Sequence, residues 1–259
     1  PRTPHCRQNA ALPPHRTRRA DAHHPMPPDT ALDLARTAFR RADHTLQNQR
    51  RDFPEWHLGR PRYALWALDV ATPPVDRAVA RAARHLDGLL LDGYARQPHI
   101  TLALGGFPSP APTHPDDYGP AAFDTHVAAL RALAPAPFEI DIGGLASFTS
   151  APFLTVGDDE GGIRRLHQAL GGMHPGGPYT PHVTVGLYGG EWPTTEVLAR
   201  LDSLTDAPPV RCRIERVSLM SYAAAEIGGP LAILADFHLA DGSLHWHGEA
   251  LYPPPTTRA

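Results

Sequence analysis

Two stretches of the chain carry histidine and threonine in one shared frame. They are Arg96-Gln97-Pro98-His99-Ile100-Thr101-Leu102-Ala103-Leu104 and Tyr179-Thr180-Pro181-His182-Val183-Thr184-Val185-Gly186-Leu187. Each reads Pro-His-aliphatic-Thr-aliphatic, and the histidines lie 182 − 99 = 83 residues apart. Two histidines can share the work of general base and general acid near neutral pH, because an unperturbed imidazole titrates at about 6.5. A hydroxyl two residues along can donate to an oxygen on which charge accumulates.

Residues two apart share a face of a strand. Ile100, Leu102 and Leu104 therefore point to a core, opposite His99, Thr101 and Ala103. Val183, Val185 and Leu187 do the same, opposite His182, Thr184, Gly186 and Tyr188. Ala103 and Gly186 are small and are expected to leave room for a ligand. The composition, 16 His and 18 Thr in 259 residues, supplies about one His-x-Thr by chance. A third copy, His15-Arg16-Thr17, lacks the apolar frame. One framed copy would fit an ordinary half-buried strand; two in matching context argue that the segments face each other across one groove.

The elements that must position them follow from periodicity. A helix capped by Asp29 or Thr30 is expected to run to about Arg51, where Phe53-Pro54 ends it. Arg62 to Val70 reads as a strand apolar on both faces. Pro73-Pro74 opens a helix to about Leu91, closed by Gly93, and the first histidine strand follows. Gly105-Gly106 and a proline-rich loop, 108–120, break the chain. A helix (121–133), a strand pair (138–148 and 152–157), a helix (160–170) and a glycine-rich loop (171–178) lead to the second histidine strand. A helix (193–204) and two strands (210–222 and 231–239) close the order. Each histidine strand is thus followed by a helix and a strand pair, an internal duplication visible in element order. An α+β fold with antiparallel or mixed sheets is expected.

Composition narrows the function classes. Hydrophobic content of 42% and charge of 20% suit a globular chain, and the net charge of −3 gives no basic field for non-specific nucleic-acid binding. All 24 basic residues are arginine, which excludes Schiff-base lysine chemistry and a phosphate-loop lysine. Cys6 and Cys212 form no metal or redox motif, and no apolar run approaches membrane-spanning length, so a reducing, cytoplasmic setting without membrane contact is expected. Residues 1–28, with seven prolines, five arginines and four histidines, are expected to be a disordered tail, and Met26 is a candidate translation start. The domain plan is then an N-terminal tail (1–28), a helical extension (29–60), a bilobal domain (61–245) and a C-terminal tail (246–259).

The chain resembles the 2H phosphoesterase superfamily and, within it, the bacterial and archaeal 2'-5' RNA ligase / RNA 2',3'-cyclic phosphodiesterase branch. The resemblance rests on His99-Ile100-Thr101-Leu102 followed by Gly105-Gly106-Phe107, and on Pro181-His182-Val183-Thr184-Val185. Leu65 to Val70, Leu166 to Leu170, Val217 to Ser221 and Pro230 to Leu239 extend it over roughly residues 60–240. It implies two pseudo-symmetric lobes around a central groove, helices on the outside, one His-x-Thr from each lobe, and no metal or other cofactor. It implies opening of 2',3'-cyclic phosphates, on RNA 3' ends or small cyclic nucleotides, to 2'-phosphates, with reversible 2'-5' ligation in some members. In that chemistry His182 is expected as the base and His99 as the acid. Thr101 and Thr184 would donate to the non-bridging oxygens, and Phe107, Tyr188 and Tyr63 are candidates to stack a base. Many members carry an arginine two or three residues after the second motif; here stand Val185-Gly186-Leu187-Tyr188. A monomer is expected.

Other clusters are weaker. His245-Trp246-His247, with His238 and Glu249, has metal-ligand residue types but no second spaced cluster, and reads as a solvated C-terminal strand. Asp158-Asp159-Glu160 complements a helix start. Two alternatives to the phosphodiesterase remain: a non-catalytic nucleotide or RNA-end binding module on the same fold, and a metal-dependent hydrolase using the C-terminal histidines.

Overall fold

The structure is a computed structural model that describes residues 28–171, 178–204 and 207–252. The expected tail up to position 27, most of the 171–178 loop and residues 253–259 lie outside the described residues.

The first elements are the helices α1 (Pro28–Arg41) and α2 (Pro54–His57), the strand β1 (Arg62–Asp69), the helix α3 (Pro73–His85) and the strands β2 (His99–Pro108) and β3 (Asp117–Tyr118). Then come α4 (Pro120–Leu133), β4 (Phe138–Ser147), β5 (Pro152–Gly157), α5 (Gly162–Ala169), β6 (His182–Thr184) and α6 (Thr194–Asp202). The chain closes with β7 (Val210–Ile214), β8 (Arg216–Ala223), β9 (Ala232–His238) and β10 (Leu244–Trp246).

These strands make two sheets, ordered β10-β9-β8-β1-β2-β3 and β6-β5-β4-β7. The quartets β2-β1-β8-β9 and β6-β5-β4-β7 are antiparallel throughout, and a histidine strand is the first member of each. In both, a helix connects that strand to its neighbour: α3 between β1 and β2, α5 between β5 and β6. The fold is therefore α+β with two related lobes, and the duplication read from element order is a duplication of sheets.

β1 is apolar on both faces because it is central. Ala64, Trp66 and Leu68 enter a core shared by both sheets with Val75 and Ala82 of α3, Phe123, Val127 and Leu130 of α4, and Ile163 and Leu166 of α5. Its other face, Tyr63, Leu65 and Ala67, packs with Phe107, Met220 and Tyr222.

Four boundaries differ from expectation. The first helix stops at Arg41. Beyond it, Thr45, Leu46 and Asn48 give their backbone N–H groups to the carbonyls of Trp192, Thr149 and Tyr188, so the second lobe supplies the partners that helical turns would have supplied. α3 ends at His85, and the turn after it uses Gly88 at φ +81°. Gly105-Gly106 does not break the chain: β2 runs on to Pro108. Gly106 sits at φ +121°, where a Cβ would clash with the Asp116 carbonyl oxygen, and the N–H of Phe107 donates to that same oxygen at 2.9 Å. Finally, the single strand expected over 210–222 is two, divided at Glu215, with β7 in one sheet and β8 in the other.

Candidate active site

The two histidines are held in the same way. In each stretch a proline precedes the histidine, and the residue before a proline is kept extended. That turns its carbonyl back onto the imidazole. His99 Nδ1 lies 2.8 Å from the Gln97 carbonyl oxygen, and His182 Nδ1 lies 2.7 Å from that of Thr180. A carbonyl only accepts, so Nδ1 is the donor in both rings. In the neutral ring Nε2 is then the acceptor. This geometry gives the proline of the repeated Pro-His pair a physical reason.

β2 and β6 are in contact, and the Tyr179 hydroxyl, just before β6, donates to the Thr101 carbonyl at 2.9 Å. The Tyr179 ring stacks on His167 of α5 at 3.7 Å, and His167 Nδ1 lies 2.7 Å from the Leu102 carbonyl oxygen. The edges of the two sheets are thereby joined behind the histidines. A side-chain hydrogen bond between Tyr94, on the segment entering β2, and Thr184 of β6 makes a second link.

The surroundings of the two rings differ. His99 is 6% exposed, and burial pushes its pKa down to about 4. The Gln97 carbonyl works against that shift, while the charges of Arg96 and His182 add to it. His182 is half-buried, edge-on to Phe148 at 5.0 Å and against Phe153 at 5.3 Å. Thr101 and Thr184 are half-buried on the strands that carry the histidines, paired in register with Ala67 and Phe153.

The segment leading into β2 is pinned. Ala95 N–H donates to the Gly228 carbonyl at 2.8 Å. The Gln97 amide clasps Leu231 at both ends, donating to its carbonyl at 2.7 Å and accepting from its N–H at 3.0 Å. Between them, Arg96 lies over the Tyr222 ring with Cζ 4.1 Å from the centroid. Sequence reasoning placed no role on Tyr94, Arg96, Gln97 or Tyr222. Arg96 stood inside the first stretch, three residues before His99, but its partner Tyr222 is 222 − 96 = 126 residues away.

Other expected site residues lie elsewhere. Phe107 is fully buried between Tyr63 at 5.0 Å and the Arg60 guanidinium at 3.6 Å, and no face of it is open to a base. Tyr188 is fully buried near Phe39 and Leu86; its hydroxyl bonds Ser147 Oγ at 2.6 Å, and burial pushes its pKa up to about 12. The reason is that β6 ends at Thr184, so the alternation that placed Tyr188 on the histidine face stops there. Tyr63 is also buried, 5.6 Å from Tyr222, and so backs the ring beneath Arg96. Neither small residue opens the groove. A bulge in β2 pairs Thr101 with Ala67 but Ala103 with Trp66, which turns Ala103 into the core. A Cβ on Gly186 would meet Leu90 at 3.1 Å.

The C-terminal histidines do not converge on one point: the His238 and His245 rings meet at 4.9 Å, but His247 turns to a carboxylate. His247 Nε2 lies 2.8 Å from Asp236 Oδ2, and His245 Nε2 lies 3.1 Å from Ser243 Oγ. Among the described residues no three His, Cys, Asp or Glu side chains form a group that could hold a metal ion. No described helix is long and apolar enough to cross a membrane.

A family model described as the 2'-5' RNA ligase superfamily matches residues 71–226, which is 156 of 259. No curated protein matches. Among solved structures, the TT0787 protein of Thermus thermophilus is 17% identical, with a TM-score of 0.46, over 68% of this chain and 97% of its own. E. coli LigT, in a crystal structure complexed with 3'-AMP, is 16% identical, with a TM-score of 0.44, over 70% of this chain and 98% of its own.

Proposed function

The chain belongs to the 2'-5' RNA ligase superfamily, of the 2H phosphoesterase type, and we propose that it opens 2',3'-cyclic phosphates to 2'-phosphates by paired-histidine acid–base catalysis. Family membership supports phosphoesterase-type activity. The observation that carries the finer reading is the matched pair of rings: each Nδ1 is committed to a backbone carbonyl two residues upstream, which fixes the tautomer and makes Nε2 the proton-accepting nitrogen of each neutral ring.

One Nε2 takes a proton from water as its oxygen attacks phosphorus. The bond from phosphorus to the 3'-oxygen breaks on the opposite side, and the other Nε2 gives that oxygen a proton. The hydroxyls of Thr101 and Thr184 donate to the non-bridging oxygens. Burial keeps His99 neutral at pH 7, which suits it to accept the proton. We therefore assign His99 as base and the more open His182 as acid, the reverse of the expectation from sequence. The substrate class is an RNA 3' end or a small nucleotide carrying a 2',3'-cyclic phosphate, and no step above uses a metal.

The test is turnover of 2',3'-cyclic nucleotides and of RNA oligomers ending in the cyclic phosphate, with and without chelator, by the intact protein and by His99→Ala and His182→Ala. Release of 2'-phosphates that survives chelation and is lost in both variants is expected. Near-normal turnover in either folded variant would refute the mechanism. Tight binding without turnover by the intact protein would instead favour a binding module.

A further inference from the structure

We propose that the guanidinium of Arg96, placed over the Tyr222 ring, is an anion-binding group of the groove and holds non-bridging oxygens of the phosphodiester beside His99. This deepens the reading of the groove as a phosphodiester site and rests on it.

Position comes first. Arg96 is fixed on both sides, by the Ala95 bond to Gly228 and by the Gln97 clasp on Leu231. Its backbone is therefore set by the same contacts that place the Gln97 carbonyl against His99. Arg96 stands three residues before His99, and its guanidinium lies over Tyr222.

Its bonding state comes next. Two other arginines flanking this sheet are neutralised: Arg60, before β1, by Asp116 and Asp117, and Arg216, at the start of β8, by Asp69 and Asp236. Among the described residues no carboxylate forms an ion pair with Arg96. Its side chain gives a hydrogen bond to Tyr222, but its Nε is buried without a hydrogen-bond partner. A buried N–H of a cation that lacks an acceptor is costly. With Tyr222 beneath the guanidinium and Nε buried, the edge left to a ligand is the terminal one, where the two Nη groups point the same way. That edge matches two oxygens of one phosphate. The second histidine stretch holds no arginine, and the positions after its motif are closed: Gly186 abuts Leu90 and Tyr188 is buried. The permanent cation beside the histidines thus comes from the first stretch.

The probe is inorganic phosphate, measured by calorimetry on the intact protein and on Arg96→Ala, Arg96→Met and Arg96→Lys, alongside kinetics with a 2',3'-cyclic nucleotide. Arg96→Met keeps an apolar stem on Tyr222 and so separates charge from packing. Loss of the charged contact is expected to weaken phosphate binding by about 10- to 100-fold in the Ala and Met variants. Arg96→Lys restores part of it, as a charge without the planar fork. With that cation gone, the His99 titration followed by NMR moves upward. Phosphate affinity within about twofold of the parent in both Ala and Met variants overturns the proposal. The two readings fail separately. A protein that turns over no cyclic phosphate yet binds inorganic phosphate through Arg96 keeps this site and loses the reaction. Turnover with Arg96-independent phosphate binding does the opposite.

Discussion

Replacing His99 by Asn tests the buried histidine through stability instead of rate. An asparagine amide can still donate to the Gln97 carbonyl, but it has no proton to gain in acid. In the folded protein burial depresses the His99 pKa from 6.5 to about 4. Below pH 6.5 the unfolded chain therefore takes up a proton that the folded chain refuses until about pH 4. Stability falls across that window and then levels. At about 1.4 kcal/mol per pKa unit, the whole window is worth about 3 kcal/mol, most of it lost by about pH 4.5. The assay is urea unfolding of both proteins at about pH 7 and about pH 4.5. Every other titrating group is common to the two, so the difference of differences isolates His99. The parent should lose about 2–3 kcal/mol more than His99→Asn, a relative midpoint shift of about 1 M urea. Equal acid losses in the two proteins would refute the claim that folding holds this imidazole neutral, and with it the reason for naming His99 the base.

Three further sets of substitutions follow from named contacts. Thr184→Ala should lower kcat by roughly 10²-fold, as for a lost oxyanion donor. Tyr94→Phe should cost less, and in a double-mutant cycle the two losses should not add, because Tyr94 acts through Thr184. Gln97→Ala removes both bonds to Leu231 and should cost about 1–3 kcal/mol in chemical denaturation, with kcat falling as the segment carrying Arg96 and the Gln97 carbonyl loosens. Gly106→Ala places a methyl against the Asp116 carbonyl at a left-handed φ and should lower Tm by several degrees, at about 2–4 °C per kcal/mol.

The histidine strands were legible because alternation and the repeated Pro-His frame are local signals. The sheets followed from the same periodicity, and β1 declared its central place by being apolar on both faces. What escaped was set by partners distant in the chain. Alternation fails at a bulge, and whether β2 bulges at Leu102 depends on how it meets β1. Tyr188 was placed on the histidine face because nothing in the sequence marks Thr184 as the end of β6. The stretch from Ala42 to Asn48 has no helix breaker, yet it leaves the helix because the second lobe offers open carbonyls. Arg96 carries no motif of its own: its meaning comes from Tyr222 beneath it and from its having no carboxylate partner among the described residues.

β1 lies between β2, which follows it closely, and β8, which begins at Arg216. The second sheet is contiguous in the chain, from Phe138 to Ile214. On the ribosome this inverts the order of the two halves. His99 is made first, but its sheet stays without a central neighbour until β8 has been synthesised. The half bearing His182 can close as soon as β7 has emerged. Until then β1, hydrophobic on both faces, must wait unpaired along one edge. The short passage through Glu215, where β7 hands the chain to β8, is the point in translation at which the nascent chain gains the means to complete its first lobe.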